Sequence, residues 1–168
     1  MESKSQLRRH FRKLRAAVDP DRRWEVAHHL VPLARSLAHG CRVVALTRSV
    51  GSELPTDPFA RDFLLHGVSL LWIEPDRSLD ANREVWIATN VDDCSVEVNL
   101  TDVDLFLVPG LAFTLRGERL GQGGGFFDRL LSRRRPGALA VGLCFECQVA
   151  DSLPTEMHDQ RMDHVLHG

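Results

Sequence analysis

Residues 119–131 read Arg-Leu-Gly-Gln-Gly-Gly-Gly-Phe-Phe-Asp-Arg-Leu-Leu, and four of the chain's 12 glycines, Gly121, Gly123, Gly124 and Gly125, cluster there. Glycine costs roughly 0.5–1 kcal/mol relative to alanine in a regular element, so a run of it before a helix-forming segment needs compensation. One compensation is chemical. A glycine-rich turn frees main-chain N–H groups to point at an anion, the helix N-terminus adds about half a positive charge, and Arg119 in front strengthens the site. The other is geometric, a tight loop whose glycines permit positive φ and close packing. On the glycines alone the two stand level. Asp128 favours the first, because a carboxylate beside bound phosphate can hold Mg²⁺, which takes one or two carboxylates with phosphate oxygens and water. Spacing excludes a dinucleotide fingerprint, since Phe126 stands where the third glycine would fall, and no Gly-Lys-Ser/Thr follows as a P-loop requires.

The elements around this stretch must position it. Leu7, Phe11 and Leu14 recur at helical spacing among Lys4, Arg8, Arg9, Arg12, Lys13 and Arg15, which predicts an amphipathic helix with a strongly basic second face. Asp19 and Pro20 punctuate the start of a second helix, with Pro32 bending or ending it before Gly40. The period then changes. Residues 41–47 read as a strand, 56–67 as a helix capped by Thr56, 68–74 as a strand, 83–89 as a short strand and 102–110 as a firmer one. A helix from 126, a strand over 138–145 and a short final strand over 163–166 complete the alternation, with Leu79 to Asp102 as its least periodic part, an irregular connection apart from the short strand within it. Strands alternating with helices predict an α/β fold: a mostly parallel, Rossmann-like sheet in a three-layer sandwich, with ligands beyond the carboxyl ends of its strands. The glycine run lies beyond such an end.

The 168 residues suit a single domain spanning 1–168. A net charge of −2 and a pI near 6.4 argue against a general nucleic-acid binder. The N-terminus has no secretory apolar core, and no run reaches the length of a membrane span, so a cytoplasmic protein without a membrane partner is expected. Cys144 and Cys147 form a C-x-x-C, but three positions apart in a strand they would face opposite ways, so they and Cys41 and Cys94 read as incidental thiols. His158, His164 and His167 match no familiar ligand spacing and read as surface residues.

Beyond composition, "DLFLVPGLAF" with "RLGQGGGFFDRLL", then "AVGLCFECQVADSLPTEMHD", and "KSQLR" at the N-terminus, closely resemble the 5-formyltetrahydrofolate cyclo-ligase family. The likeness covers residues 4–15, the neighbourhood of Glu53 and nearly all of 102–166, with Phe126 and Phe127 where tyrosines are usual. It implies a fold of the sugar-phosphate isomerase and CoA-transferase kind and a ligase forming C–N bonds. That ligase would cyclise 5-formyltetrahydrofolate to 5,10-methenyltetrahydrofolate with ATP and Mg²⁺, releasing ADP and phosphate, without a protein nucleophile. By the same resemblance Lys4, Arg8 and Arg119, Leu120, Gly121, Gln122, Gly123, Gly124, Gly125, Phe126 and Phe127 are expected to bind ATP. Glu53 is expected to meet the folate together with residues 122–126, and Asp128 and Asp159 to hold the metal.

The chain departs from the family pattern in the middle, where residues 76–101 are short and lack a G-I-x-E-P element for which Glu74 and Pro75 do not substitute. Two function classes therefore stay open: the active enzyme, expected as a monomer or weak dimer, and a non-catalytic paralogue that binds nucleotide or folate as a sensor or assembly partner.

Overall fold

The computed structural model describes residues 3–73, 85–89 and 95–168. In chain order the elements are α1 (Lys4–Ala16), α2 (Pro20–Leu37), β1 (Val43–Leu46), α3 (Asp57–Leu65), β2 (Ser69–Trp72), β3 (Val85–Thr89) and β4 (Ser95–Asn99). There follow β5 (Leu105–Pro109), β6 (Ala112–Phe113), β7 (Arg119–Leu120), α4 (Phe126–Leu131), β8 (Leu139–Cys144) and β9 (His164–His167). The main sheet has the order β4-β3-β2-β1-β5-β8-β9. Its five strands from β2 to β9 run parallel, and β3 and β4 add an antiparallel edge.

Alternation along the central strands decides the layers, because successive side chains leave a strand on opposite faces. Val44, Leu46, Leu105 and Leu107 pack beneath α2 and α3 against Leu30, Phe59 and Phe63. Ala45, Phe106, Val108 and Ala140 face the other way, onto Leu130 and Leu131 of α4, Phe113 and Met162. The result is the expected three-layer α/β sandwich. A third, smaller cluster sits outside the sandwich, where Phe11 of α1 meets Leu111, Ala112, Leu120 and Leu153. It fastens α1 to the β6–β7 ribbon, whose pairs are Ala112 with Leu120 and Phe113 with Arg119.

Several local expectations change. Pro32 does not end α2, which runs through to Leu37. The proline removes one ladder hydrogen bond, but Leu30, Val31 and Ala34 around it are buried and carry the helix onward. Thr56 does not cap α3. Its backbone is already helical, and its hydroxyl instead donates to the Thr47 carbonyl at 2.9 Å. The stretch after Leu79 is more than an irregular connection, since it contains the paired strands β3 and β4. Cys147 lies in a short 3₁₀ turn rather than in β8, and burial pushes the Cys144 thiol up to about 12, which leaves it inert at neutral pH. Cys94, Glu74, Pro75 and the comparison with the G-I-x-E-P element lie outside the described residues.

The switch in winding direction has a functional consequence. From β1 the chain moves outward through β2 to the β4 edge, then returns to place β5 on the other side of β1. A crevice forms beyond the carboxyl ends of two such strands.

Because α1 is held by a cluster separate from the sheet core, Phe11→Ala is expected to cost about 3 kcal/mol and to act locally. Hydrogen exchange should rise across α1 and residues 111–120 while the amides of β5 and β8 stay protected. Equal loss of protection in the sheet would contradict an independent attachment.

Candidate functional site

α1 begins with a capping box in which the Ser3 hydroxyl accepts from the Gln6 amide and the Gln6 side chain accepts from the Ser3 amide. Along the helix Lys4, Arg8, Arg12 and Arg15 fall on one stripe, since positions four and then three apart share a helical face. That stripe is directed inward at its contacts. Lys4 Nζ lies 2.9 Å from Asp159 Oδ2 and 2.9 Å from Glu156 Oε1. Arg8 Nε donates to the Gly121 carbonyl at 3.0 Å, Arg12 Nη2 to Gln122 Oε1 at 3.0 Å and Arg15 Nη1 to Glu53 Oε1 at 3.4 Å. Arg9 and Lys13, off the stripe, are exposed.

These contacts shape the glycine loop. A trans peptide points its C=O and N–H in opposite directions. With Arg8 on the Gly121 carbonyl, and Arg129 Nη1 on the Gly124 carbonyl at 2.8 Å, the amides of Gln122 and Gly125 are turned away from those guanidinium groups. Among the described residues, the amides of Gly121, Gln122, Gly123, Gly124 and Gly125 donate to no protein acceptor. Gly123 at φ 108° and Gly125 at φ 64° need the freedom of glycine. Gly124 does not, and a Cβ there would meet nothing within 4 Å.

Arg119 and Asp128 face each other across this loop. Arg119 Nη2 lies 3.3 Å from each carboxylate oxygen of Asp128, with the arginine side chain only 5% exposed. The guanidinium carbon also sits 5.4 Å from the centre of the Phe127 ring. Arg119 Nε is buried without an acceptor among the described residues. Asp128 Oδ1 also accepts from the Gln160 amide at 3.0 Å, which ties α4 to the segment carrying Asp159. Asp128 is therefore the counter-ion of a buried arginine as well as a first-turn carboxylate. Glu156, His158 and Asp159 present ligand atoms within 4.8 Å of one another, and His158 is exposed, as the sequence reading of a surface residue expects.

The remaining expected residues divide by environment. Leu120 is buried under α1, and its carbonyl accepts from the Leu111 amide at 2.8 Å, so only its main chain could meet a ligand. Phe126 and Phe127 are half-buried and meet edge to face, with ring centres 5.1 Å apart. Glu53 lies at the switch-point crevice with Thr47, Gly110, Leu143, Arg15 and Gln148. In the sequence Arg15 reads only as part of the basic face of α1, and Gln148 is not singled out. Gln148 is buried and donates to the carbonyls of Gly110 at 3.0 Å and Leu111 at 2.9 Å. The continuation of the Lys4–Arg8–Arg12 stripe was the signal that could have found Arg15. For Gln148 there was none.

A sequence model of the 5-formyltetrahydrofolate cyclo-ligase family matches residues 74–168, more than half of the chain. The chain is 27% identical to a 5-formyltetrahydrofolate cyclo-ligase of Haemophilus influenzae, covering 99% of this chain and 98% of the relative. It is 29% identical to one of Escherichia coli K12, covering 93% and 95%. Among solved structures, a 5,10-methenyltetrahydrofolate synthetase of Aquifex aeolicus superposes with a TM-score of 0.78 at 26% identity, covering 98% of this chain and 89% of that one. One from Mycoplasma pneumoniae, at 19% identity, a TM-score of 0.79 and 98% of both chains, shares the fold.

The Lys4–Asp159 contact sets a pH dependence. Burial pushes the Asp159 carboxyl up, but hydrogen bonds from Lys4 and the Glu156 amide outweigh it and hold the group below its ordinary value. Burial likewise pulls Lys4 down, and its two carboxylate partners raise it above its ordinary value. A depressed carboxyl stabilises the fold above its unfolded value of about 3.9 and loses that contribution as pH falls through the folded value. A raised ammonium stabilises below about 10.4 and loses its contribution as pH rises through the folded value. The stability gap between the wild type and Asp159→Asn in urea unfolding is therefore expected to stay level from about pH 5 to 9 and to narrow below about pH 4. A gap undiminished at about pH 3 would contradict the pairing.

Proposed function

Because the chain belongs to the 5-formyltetrahydrofolate cyclo-ligase family, and is an enzyme of that class, we propose that it converts 5-formyltetrahydrofolate to 5,10-methenyltetrahydrofolate at the expense of ATP. One observation carries the reading: among the described residues, five consecutive loop amides donate to no protein acceptor, and the cationic stripe of α1 reaches the same loop.

In this reading the triphosphate lies on the amides of residues 121–125, with Lys4 and Arg8 neutralising its charge and Arg119, Phe126 and Phe127 bordering it. The formyl oxygen of the substrate attacks the γ-phosphorus, an O–P bond forms, and the bond to the β-phosphate breaks to release ADP. N10 then attacks the activated carbon, the C–O bond breaks, phosphate leaves, and the N10 proton passes to solvent. Such chemistry asks the protein for positioning and charge neutralisation rather than a nucleophile. Glu53 accepts hydrogen bonds from the pterin, with residues 122–126 closing on the substrate. The hard carboxylate oxygens of Asp128 and Asp159 suit Mg²⁺, which would arrive with ATP and add positive charge beside the phosphates.

The same reading takes residues 1–168 as one domain, a cytoplasmic monomer or weak dimer without nucleic-acid or membrane partners. The net charge of −2 supports the absence of a general nucleic-acid partner. Among the described residues no helix is long and apolar enough to cross a membrane. The non-catalytic alternative draws its support from the absence of the G-I-x-E-P element in the sequence.

Incubation with 5-formyltetrahydrofolate and Mg-ATP is expected to generate the methenyl chromophore with ADP in equal amount. Nucleotide binding without product would favour the non-catalytic reading. Gly124→Ala is expected to unfold at nearly the wild-type temperature, because its Cβ has space and its φ is not positive. The added methyl should raise KM for ATP about tenfold, a change of about 1.4 kcal/mol, with KM for folate within about twofold. An unchanged KM for ATP would remove the loop from the nucleotide site.

A further inference from the structure

Arg15 is 6% exposed, a charged side chain at the end of a helix whose neighbouring inward residues, Phe11 and Leu14, are apolar. Taking a guanidinium out of water is costly, and an apolar residue of similar volume commonly serves a purely structural position as well or better. A buried arginine therefore asks what its charge does there. Its Nε donates to Ser52 Oγ at 3.2 Å, and Nη1 reaches Glu53 Oε1 at 3.4 Å and the Gly110 carbonyl at 3.5 Å.

Redundancy separates these contacts. The Gly110 carbonyl is already held by Gln148 Nε2 at 3.0 Å. Glu53 Oε2 is held by the Val50 amide at 3.1 Å, within its own loop. For Glu53 Oε1, Arg15 supplies the hydrogen bond found among the described residues. A carboxylate offers about four lone-pair positions, so two partners leave capacity for a ligand's N–H donors. Arg15 and Glu53 both line the crevice.

α1 gives this contact a longer reach. The helix that carries Arg15 also places Lys4 on Asp159 and Arg8 on the Gly121 carbonyl. At 1.5 Å rise per residue, Lys4 and Arg15 lie roughly 16 Å apart along one rigid rod. The rod thus refers Glu53 and the glycine loop to the same frame.

We propose that Arg15 is a positioning residue for the folate half of the site, fixing the Glu53 carboxylate in the crevice and setting its placement relative to the nucleotide loop. The inference rests on the reading that Glu53 meets the folate. Arg15 touches neither substrate in this account and acts through Glu53.

The test is a kinetic cycle of wild type, Arg15→Met, Glu53→Gln and the double variant, with Arg15→Lys alongside, each rate taken per folded molecule. Arg15→Met should raise KM for 5-formyltetrahydrofolate about tenfold or more while KM for ATP stays within about twofold, and Arg15→Lys should restore part of the loss. Because one residue acts through the other, the double variant should be no worse than Glu53→Gln alone. Equal rises in both KM values, multiplicative losses in the double variant, or no recovery with lysine would overturn the proposal while leaving the cyclo-ligase reading intact. Should Arg15→Met fail to fold, Arg15→Lys carries the same comparison against the double variant, in which the charge pair is removed together. A wild type that forms no methenyl product would instead sink the reading on which the proposal stands.

Discussion

The site depends on one constraint, the seating of α1 across the glycine loop. Phe11 and its apolar neighbours provide the attachment, through a cluster apart from the main sheet core. Once seated, the helix delivers cations at fixed intervals: Lys4 to Asp159, Arg8 to the Gly121 carbonyl, Arg12 to Gln122 and Arg15 to Glu53. The Arg8 contact has the most consequence for the loop, because fixing a carbonyl also fixes the direction of the amide in the same peptide plane. Without α1 the loop would retain its glycines but lose the partner that orients the peptide following Gly121.

Charge in the resting site is balanced internally. Arg119 is buried against Asp128, and Lys4 bridges Asp159 and Glu156. Such pairs hold the cations and carboxylates beside the glycine loop while limiting the cost of leaving them unpaired. Under the proposed function, a metal-nucleotide complex, carrying both signs of charge, would suit this arrangement better than either component alone. In the proposed reading the metal ion would offer Asp128 and Asp159 a partner, and the phosphates would offer one to Lys4 and Arg119.

Much of the fold was legible in the sequence because the central strands are short apolar runs separated by helices, and that pattern leaves few alternatives to a parallel sheet covered on both faces. The loop was legible because four clustered glycines and a following carboxylate are unusual. What escaped had physical reasons. Pro32 left a bend or an end open in the sequence, and tertiary burial of Leu30, Val31 and Ala34 overrides the loss of one hydrogen bond and carries the helix on. Thr56 had the residue type of a cap, yet its hydroxyl turns to the Thr47 carbonyl. The Arg15–Glu53 and Gln148–Gly110 contacts each span 38 positions of the chain, and no local period reveals such pairs. The basic face of α1 was read as basic, but which of its cations face inward depends on where the apolar stripe docks.

The central claim is that the amides of residues 121–125, which donate to no acceptor among the described residues, receive the nucleotide phosphates. Backbone amide resonances of the ¹⁵N-labelled protein, followed by NMR as a non-hydrolysable ATP analogue with Mg²⁺ is added, test it most directly. The account predicts large downfield proton shifts at Gly123, Gly124 and Gly125, saturating together. Saturable shifts elsewhere in the protein, with those three glycine amides unmoved, would contradict it.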